Sequence, residues 1–148
     1  MKSEVVRPFL EKALADWANV DEIEADRDGD YGFRRGSAKF YVRLTKDDPP
    51  VLRLWAVLLN KVKATPKVFK TVNTINSVLA FGRVYWKDDG IVLGMELATE
   101  NIDAEQVAWA CDVMGILADD LDTKLKDDLG GKTTFPDEPD DEEDAVKV

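Results

Sequence analysis

The sequence predicts an α+β domain in which three helices pack on a five-stranded antiparallel sheet, in the order α-β-β-β-α-β-β-α. Two observations carry that expectation. Apolar residues recur every three or four positions in three separate stretches, and two stretches between them alternate apolar and polar residues with a period of two. Turn chemistry rich in Asp, Gly and Pro stands at the changes of period.

Residues 3 to 18, SEVVRPFLEKALADWA, place Val6, Phe9, Leu10, Ala13, Leu14 and Trp17 on one helical face. Ser3 suits the N-cap, and Pro8 falls close enough to the start to be tolerated. In SAKFYVRLT, Ala38, Phe40, Val42 and Leu44 share one strand face, with Lys39, Tyr41, Arg43 and Thr45 on the other. The KDDPP turn then stops pairing. VLRLWAVLLN follows, with Leu52, Leu54, Ala56 and Leu58 expected inward. Its second face carries Val51, Trp55, Val57 and Leu59, interrupted only by Arg53. An antiparallel strand apolar on both faces is expected to be covered on both, the second by another chain.

PKVFKTVNTINSVLA, residues 66 to 80, is the second helix, with Pro66 in its first turn and a broad stripe of Val68, Phe69, Val72, Ile75, Val78 and Leu79. FGRVYW and GIVLGMELA make a hairpin around KDDG, where Asp89-Gly90 supplies the tight turn. Asp103 and Gln106 form a capping box for the third helix, which ends at Gly130-Gly131. Its stripe of Val107, Cys111, Met114, Ala118, Leu121 and Leu125 is widened by Trp109, Val113 and Ile116.

One domain over residues 1–135 accounts for these elements. The run after Phe135, PDEPDDEEDAVKV, holds seven acids and one lysine, and residues 136–148 read as a disordered acidic tail. That run carries −6 of the formal net charge of −10, so the remainder is only mildly acidic. Scattered basic residues in such a chain argue against nucleic-acid binding. The absence of histidine and the single cysteine, Cys111, exclude a disulfide within the chain, Cys/His zinc sites and every mechanism with a histidine base. No apolar run approaches a membrane span, and MKSEVVRPFL has no signal-peptide core, so a cytoplasmic protein without a membrane partner is expected.

EADRDGDYGFRRG, residues 24 to 36, gathers Asp26, Asp28 and Asp30 around Gly29. Calcium loops of the EF-hand type need glycine at the sixth position and a bidentate Glu at the twelfth. Counted from Asp26, glycine is fourth and Ser37 is twelfth, so a turn leading into the first strand is expected, with no metal. Cys111 reads as packing, Asp119-Asp120 and Asp127-Asp128 as solvated faces, and Asn73 with Asn76 as either caps to a neighbouring backbone or solvated amides. No catalytic residues and no cofactor are expected; an enzyme would have only Asp/Glu, Lys or Tyr chemistry to use. Of the four tryptophans, Trp55 and Trp109 lie off the main stripes of their elements and are the candidates for partner anchors.

The segment FKTVNTINSVLAFGRVYWKDDGIVLGMELATENIDAEQVAWACDVMGILADDLD resembles the YbjN family, within the wider group of type III secretion chaperone-like domains. The resemblance lies in the order of its features: the N-x-x-N helix at Asn73 and Asn76, the strand FGRVYW, the D-G turn, an apolar strand running into a capped helix, and an Asp near the end of that helix. Upstream, DGDY followed by G-S and a V-R strand is similar to actinobacterial members, and the likeness spans roughly residues 5 to 135. It implies a homodimeric α-β-β-β-α-β-β-α domain that binds extended client segments without ATP, and it carries no catalytic residues. The function expected is a non-enzymatic dimeric chaperone or adaptor that binds a protein or peptide, with Tyr41, Trp55, Val57, Leu59 and Trp109 as the peptide- or dimer-binding surface. The alternative is a regulatory domain of the sensory-transduction kind acting through protein contacts.

Overall fold

The computed structural model describes residues 3–136 and the backbone of 146–147. Helix α1 (Ser3–Ala18) leads into β1 (Asp30–Arg35), β2 (Ala38–Leu44) and β3 (Val51–Asn60). Helix α2 (Pro66–Val78), the hairpin β4 (Arg83–Lys87) and β5 (Gly90–Ala98), and the long α3 (Ala104–Leu129) follow. The five strands form an antiparallel sheet in the spatial order β4-β5-β3-β2-β1, which is the predicted fold. Of the expected tail, residues 137–145 and 148 lie outside the described residues; a two-residue strand β6 (Val146–Lys147) pairs with β1 at Phe33 and Arg34.

One face of the sheet builds the core. Phe33, Phe40, Val42, Leu54, Ala56 and Leu93 are fully buried there beneath α1 and α3. Trp17 stands edge-on to Phe33 at 5.1 Å between ring centroids, and Phe33 and Phe40 lie 5.5 Å apart. Gly115 lets α3 come close to β2, because a Cβ there would already touch Phe40 and Arg35 at 3.4 Å. The capping box is formed as expected: Gln106 N–H donates to the Asp103 carboxylate while the Gln106 side chain accepts from the Asp103 N–H. Tyr31 ties α1 to β1, donating to Glu11 at 2.7 Å and accepting from Arg7 at 2.8 Å. Burial, followed by the Glu11 hydrogen bond, pushes its phenol up to about 12.

Three expectations are corrected. Leu59 is fully buried rather than on the second face of β3, because the pairing register with β5 shifts between Val57 and Leu59. A β-bulge adds one residue to the strand, so Leu58 and Leu59 both reach the core. On α1, Phe9 is 38% exposed, and the core contacts fall to Val6, Leu10, Ala13 and Leu14. On α2 only Val68 and Val72 are buried, whereas Phe69 and Val78 are 51% and 80% exposed.

Candidate functional site

Among the described residues, no helix is seen to pack on the face of the sheet turned away from α1 and α3. Its side chains are set by strand alternation: Lys39, Tyr41 and Arg43 from β2, Arg53, Trp55 and Val57 from β3, Arg83, Tyr85 and Lys87 from β4. Register then places them in rows. Tyr41 stands opposite Trp55, Trp55 opposite Gly94, and Gly94 opposite Arg83. Tyr41 and Trp55 stack, with centroids 5.2 Å apart and planes inclined by 22°. Beside them Gly94 presents no side chain, and a Cβ there would meet Tyr85 and Arg83 at 3.7 and 3.8 Å. The result is an open trough of about 630 Å³ whose floor includes Trp55, Val57, Val92 and Gly94.

Cations frame the aromatics. The Arg43 guanidinium lies 5.1 Å from the Trp55 ring, Lys39 Nζ is 5.0 Å from Tyr41, and Arg83 is 5.6 Å from Tyr85. Arg43 is held by a two-pronged contact to Asp30, at 2.6 and 2.8 Å. Arg53 and Arg83 converge on Glu96, at 3.3 Å and at 2.6 and 3.1 Å respectively. The Arg83 hydrogen bonds hold the Glu96 carboxyl below the usual carboxylate range, against the opposing effect of partial burial. Asp30 in turn raises the affinity of Arg43 for its proton, as Glu96 does for Arg83.

The neighbouring edge of the sheet is engaged at Val84. Asn76 on α2 accepts the Val84 N–H at 2.8 Å and donates to the Val84 carbonyl at 2.9 Å, so its amide stands where the next strand would pair. The opposite edge, β1, meets β6 at Phe33 and Arg34. Of the two outcomes open for Asn73 and Asn76, Asn76 takes the bridging one.

Of the residues expected to form a binding surface, Trp55 and Val57 line the trough, and Tyr41 stacks on Trp55 beside it. Leu59 does neither, for the reason of the bulge. Trp109 belongs to a second hollow of about 270 Å³, lined also by Phe81, Met95 and Leu97. There Trp109 and Phe81, 40% and 52% exposed, meet edge-to-face at 4.8 Å. Arg83 and Glu96 line both hollows. Sequence reading left Arg43, Arg53, Arg83 and Glu96 out of the site. Arg53 was visible as the break in an apolar face, but its meeting with Glu96 depends on a register that only the folded sheet supplies.

Two carboxylate clusters lie elsewhere. Asp26, Asp28 and Asp30 can bring ligand atoms within 4.8 Å of one another. Asp26 accepts the backbone N–H groups of Asp28 and Asp30, at 2.9 and 3.0 Å, and Asp30 is engaged by Arg43. Turn chemistry thus occupies Asp26, and Arg43 occupies Asp30. The second cluster was not foreseen. Ser37 donates to the fully buried Asp122 at 2.8 Å, and its backbone N–H donates to Asp119 at 3.1 Å. Burial, with the like charge of Asp119 adding to it, pushes Asp122 up to about 6 despite the Ser37 hydrogen bond. Cys111 is buried on the inner stripe of α3, and burial raises its thiol far above a reactive range.

The sequence profile of the family described as TY-Chap1, "T3SS (YopN, CesT) and YbjN peptide-binding chaperone 1", matches residues 4–137. Among solved structures, the chain is similar to one described as the crystal structure of the ExsC-ExsE complex. The TM-score is 0.65 over 84% of this chain and 96% of that one, at 13% identity, a likeness of fold. No curated protein matches.

Proposed function

This chain belongs to the TY-Chap1 family of T3SS and YbjN peptide-binding chaperones, and we propose that it is a non-enzymatic, dimeric, cytoplasmic chaperone or adaptor of the YbjN type. The client segment lies across the open face of the sheet on Tyr41, Trp55 and Val57. Dimerisation uses the exposed aromatic pair Phe81 and Trp109.

The observation that carries this reading is a stacked Tyr41–Trp55 pair on the sheet face away from α1 and α3, with the β4 edge engaged at Val84 and the β1 edge at Phe33 and Arg34. An extended peptide has two ways to use a sheet, adding to an edge or laying side chains on a surface. Asn76 blocks the first at β4, which favours the second. Aromatic rings half-buried in a shallow trough are the anchors that such binding needs, since they bury large area at small conformational cost. The absence of histidine, together with the burial of Cys111 and Asp122 away from the trough, supports a role without catalysis. No helix among the described residues is long and apolar enough to cross a membrane.

Light scattering combined with a client-solubility assay tests the proposal. Wild type is expected to be a dimer that keeps client segments soluble. Trp55→Asp is expected to lose clients and remain dimeric, whereas Phe81→Asp is expected to lose the dimer first. A strict monomer, or client binding indifferent to Trp55→Asp, overturns the assignment.

A further inference from the structure

We propose that the open sheet face recognises an acidic segment of its partner, whose carboxylates take the place of Glu96 at Arg53 and Arg83 while its apolar side chains rest on Trp55 and the Gly94 shelf. The inference rests on the peptide-binding reading above and specifies the chemistry of the client.

Charge is the first argument. The chain carries a formal −10, yet this face holds six cations among the described residues, Arg34, Lys39, Arg43, Arg53, Arg83 and Lys87. Against them stand two carboxylates set among the strands, Asp30 and Glu96, with Asp88 at the rim. Positive charge concentrated on one surface of an acidic protein selects a negatively charged partner and repels a positive one. The second argument is availability. The Arg53 and Arg83 side chains are 48% and 53% exposed, and both are aimed at one point by a single acid that is 28% exposed. Two guanidinium groups converging on one carboxylate form a site in which an incoming carboxylate finds its donors already oriented. The third is shape. Gly94 lies between Trp55 and Arg83 in the pairing rows, so a side chain from above reaches the Trp55 ring beside the arginines.

The same features weigh against other occupants. Two copies of this face placed together would set arginine against arginine, a like-charge cost that an isologous interface cannot avoid. A nucleic acid would bring a phosphate for every nucleotide against Glu96, Asp30 and the negative field of the whole chain. A segment with two or three carboxylates spaced by apolar residues meets the two arginines without that burden.

Fluorescence anisotropy on the full chain tests the idea with labelled peptides of about 12 residues, long enough when extended to cross the sheet. One peptide intersperses Glu and Leu in a Ser background, a second has Gln for each Glu, a third has Lys, and a thymidine oligonucleotide of similar length is the fourth probe. The Glu peptide is expected to bind about tenfold more tightly than the Gln peptide, and the Lys peptide least. That preference should shrink as salt rises from about 50 to about 500 mM. The double variant Arg53→Gln/Arg83→Gln, checked for an unchanged melting curve, is expected to bind the Glu and Gln peptides alike. Trp55→Ala is expected to weaken both peptides by a similar factor.

Equal binding of the Glu and Gln peptides to wild type overturns the inference; if Trp55→Ala still weakens both, the peptide-binding reading stands without it. Tighter binding of the oligonucleotide overturns it in favour of nucleic acid. Conversion of a dimer to a monomer by the double arginine variant assigns the face to a second copy. Failure of every peptide to bind removes both readings together.

Discussion

The two faces of the sheet are built from the same strands and obey different rules. On β3, Leu52, Leu54 and Ala56 point one way into a core where they are all but fully buried. Arg53, Trp55 and Val57 point the other way and remain exposed or half-buried. The inner face is held by apolar area and close packing, as at the Gly115 contact with Phe40. The outer face is held by directed contacts between charges and rings, which tolerate water and can be exchanged for contacts with a partner. One side of each strand therefore stores stability, and the other leaves charged and aromatic groups exposed.

That division predicts unequal effects of mutation, the largest on the inner face. Phe40→Ala removes a fully buried ring that touches Trp17 and Phe33, and is expected to destabilise by about 3–5 kcal/mol in urea unfolding. Trp55→Ala takes away a ring of greater size from the outer face and should cost only about 1 kcal/mol, the worth of its stack with Tyr41 and its contact with Arg43. Equal losses at the two positions would mean that the outer face is also a structural layer, and the functional assignment would lose its basis.

Asp122 is the exception within the inner layer, a carboxyl in an apolar setting. Its proton affinity is raised in the folded state, to about 6, above the ordinary value of 3.8. The folded chain therefore binds this proton more tightly than the unfolded chain does. The resulting stability is fully present below the ordinary value and is lost as pH rises through about 6. Asp122→Asn keeps a neutral group that can still accept from Ser37, and should stabilise by about 1–2 kcal/mol at pH 8. The advantage should vanish near pH 4, where wild-type Asp122 is protonated. Thermal melts of both proteins across this range check the sign; a wild type that is the more stable at pH 8 would show that the charged form is needed, in the hydrogen bonds to Ser37.

How much of this was legible beforehand follows from the distance over which each feature is decided. Helices, strands, the Asp103–Gln106 box and the Asp89-Gly90 turn are set by neighbours within a few residues, and were read from the sequence. Tyr41, Trp55 and Val57 on one face follow from alternation once the strands are known. Leu59 was misplaced because a bulge is a property of two paired strands, and nothing in VLRLWAVLLN marks Leu58 as the extra residue. Asp122 and Ser37 are 85 positions apart, and their bond exists only because α3 passes over the β1–β2 turn. Phe69 and Val78 fit a helical stripe equally well whether α2 is covered by this chain or by another, so periodicity alone could not tell which.

Asn76 sharpens the comparison at the boundary between the two faces. Its amide pairs with both backbone groups of Val84, an arrangement in which a side chain stands in for a strand. Asn76→Ala should destabilise by about 1–2 kcal/mol, because two partly buried backbone groups lose their partners. It should also leave the edge of β4 open to another strand, detectable as concentration-dependent self-association in sedimentation velocity. Loss of stability with no change in association would make Asn76 a simple link between α2 and β4.

The smallest effect is expected at the aspartate turn before β1. Three carboxylates close enough to share an ion are a reason to look for calcium, and the turn makes a specific case against it. Asp26 uses its oxygen to order the backbone of residues 28 and 30, and Asp30 faces the guanidinium of Arg43, which a cation would have to displace. Addition of millimolar calcium should therefore leave the melting temperature and tryptophan fluorescence of wild type unchanged. Arg43→Gln frees Asp30 and gives the same assay a positive arm. If the variant gains a calcium-dependent rise in melting temperature that wild type lacks, Arg43 is what keeps the turn free of metal. The arginine beside Trp55 would then act on both sides of the strand end, framing the trough and closing the turn. A calcium response already present in wild type would mean that the carboxylates can leave their hydrogen bonds, and that the turn is a cation site after all.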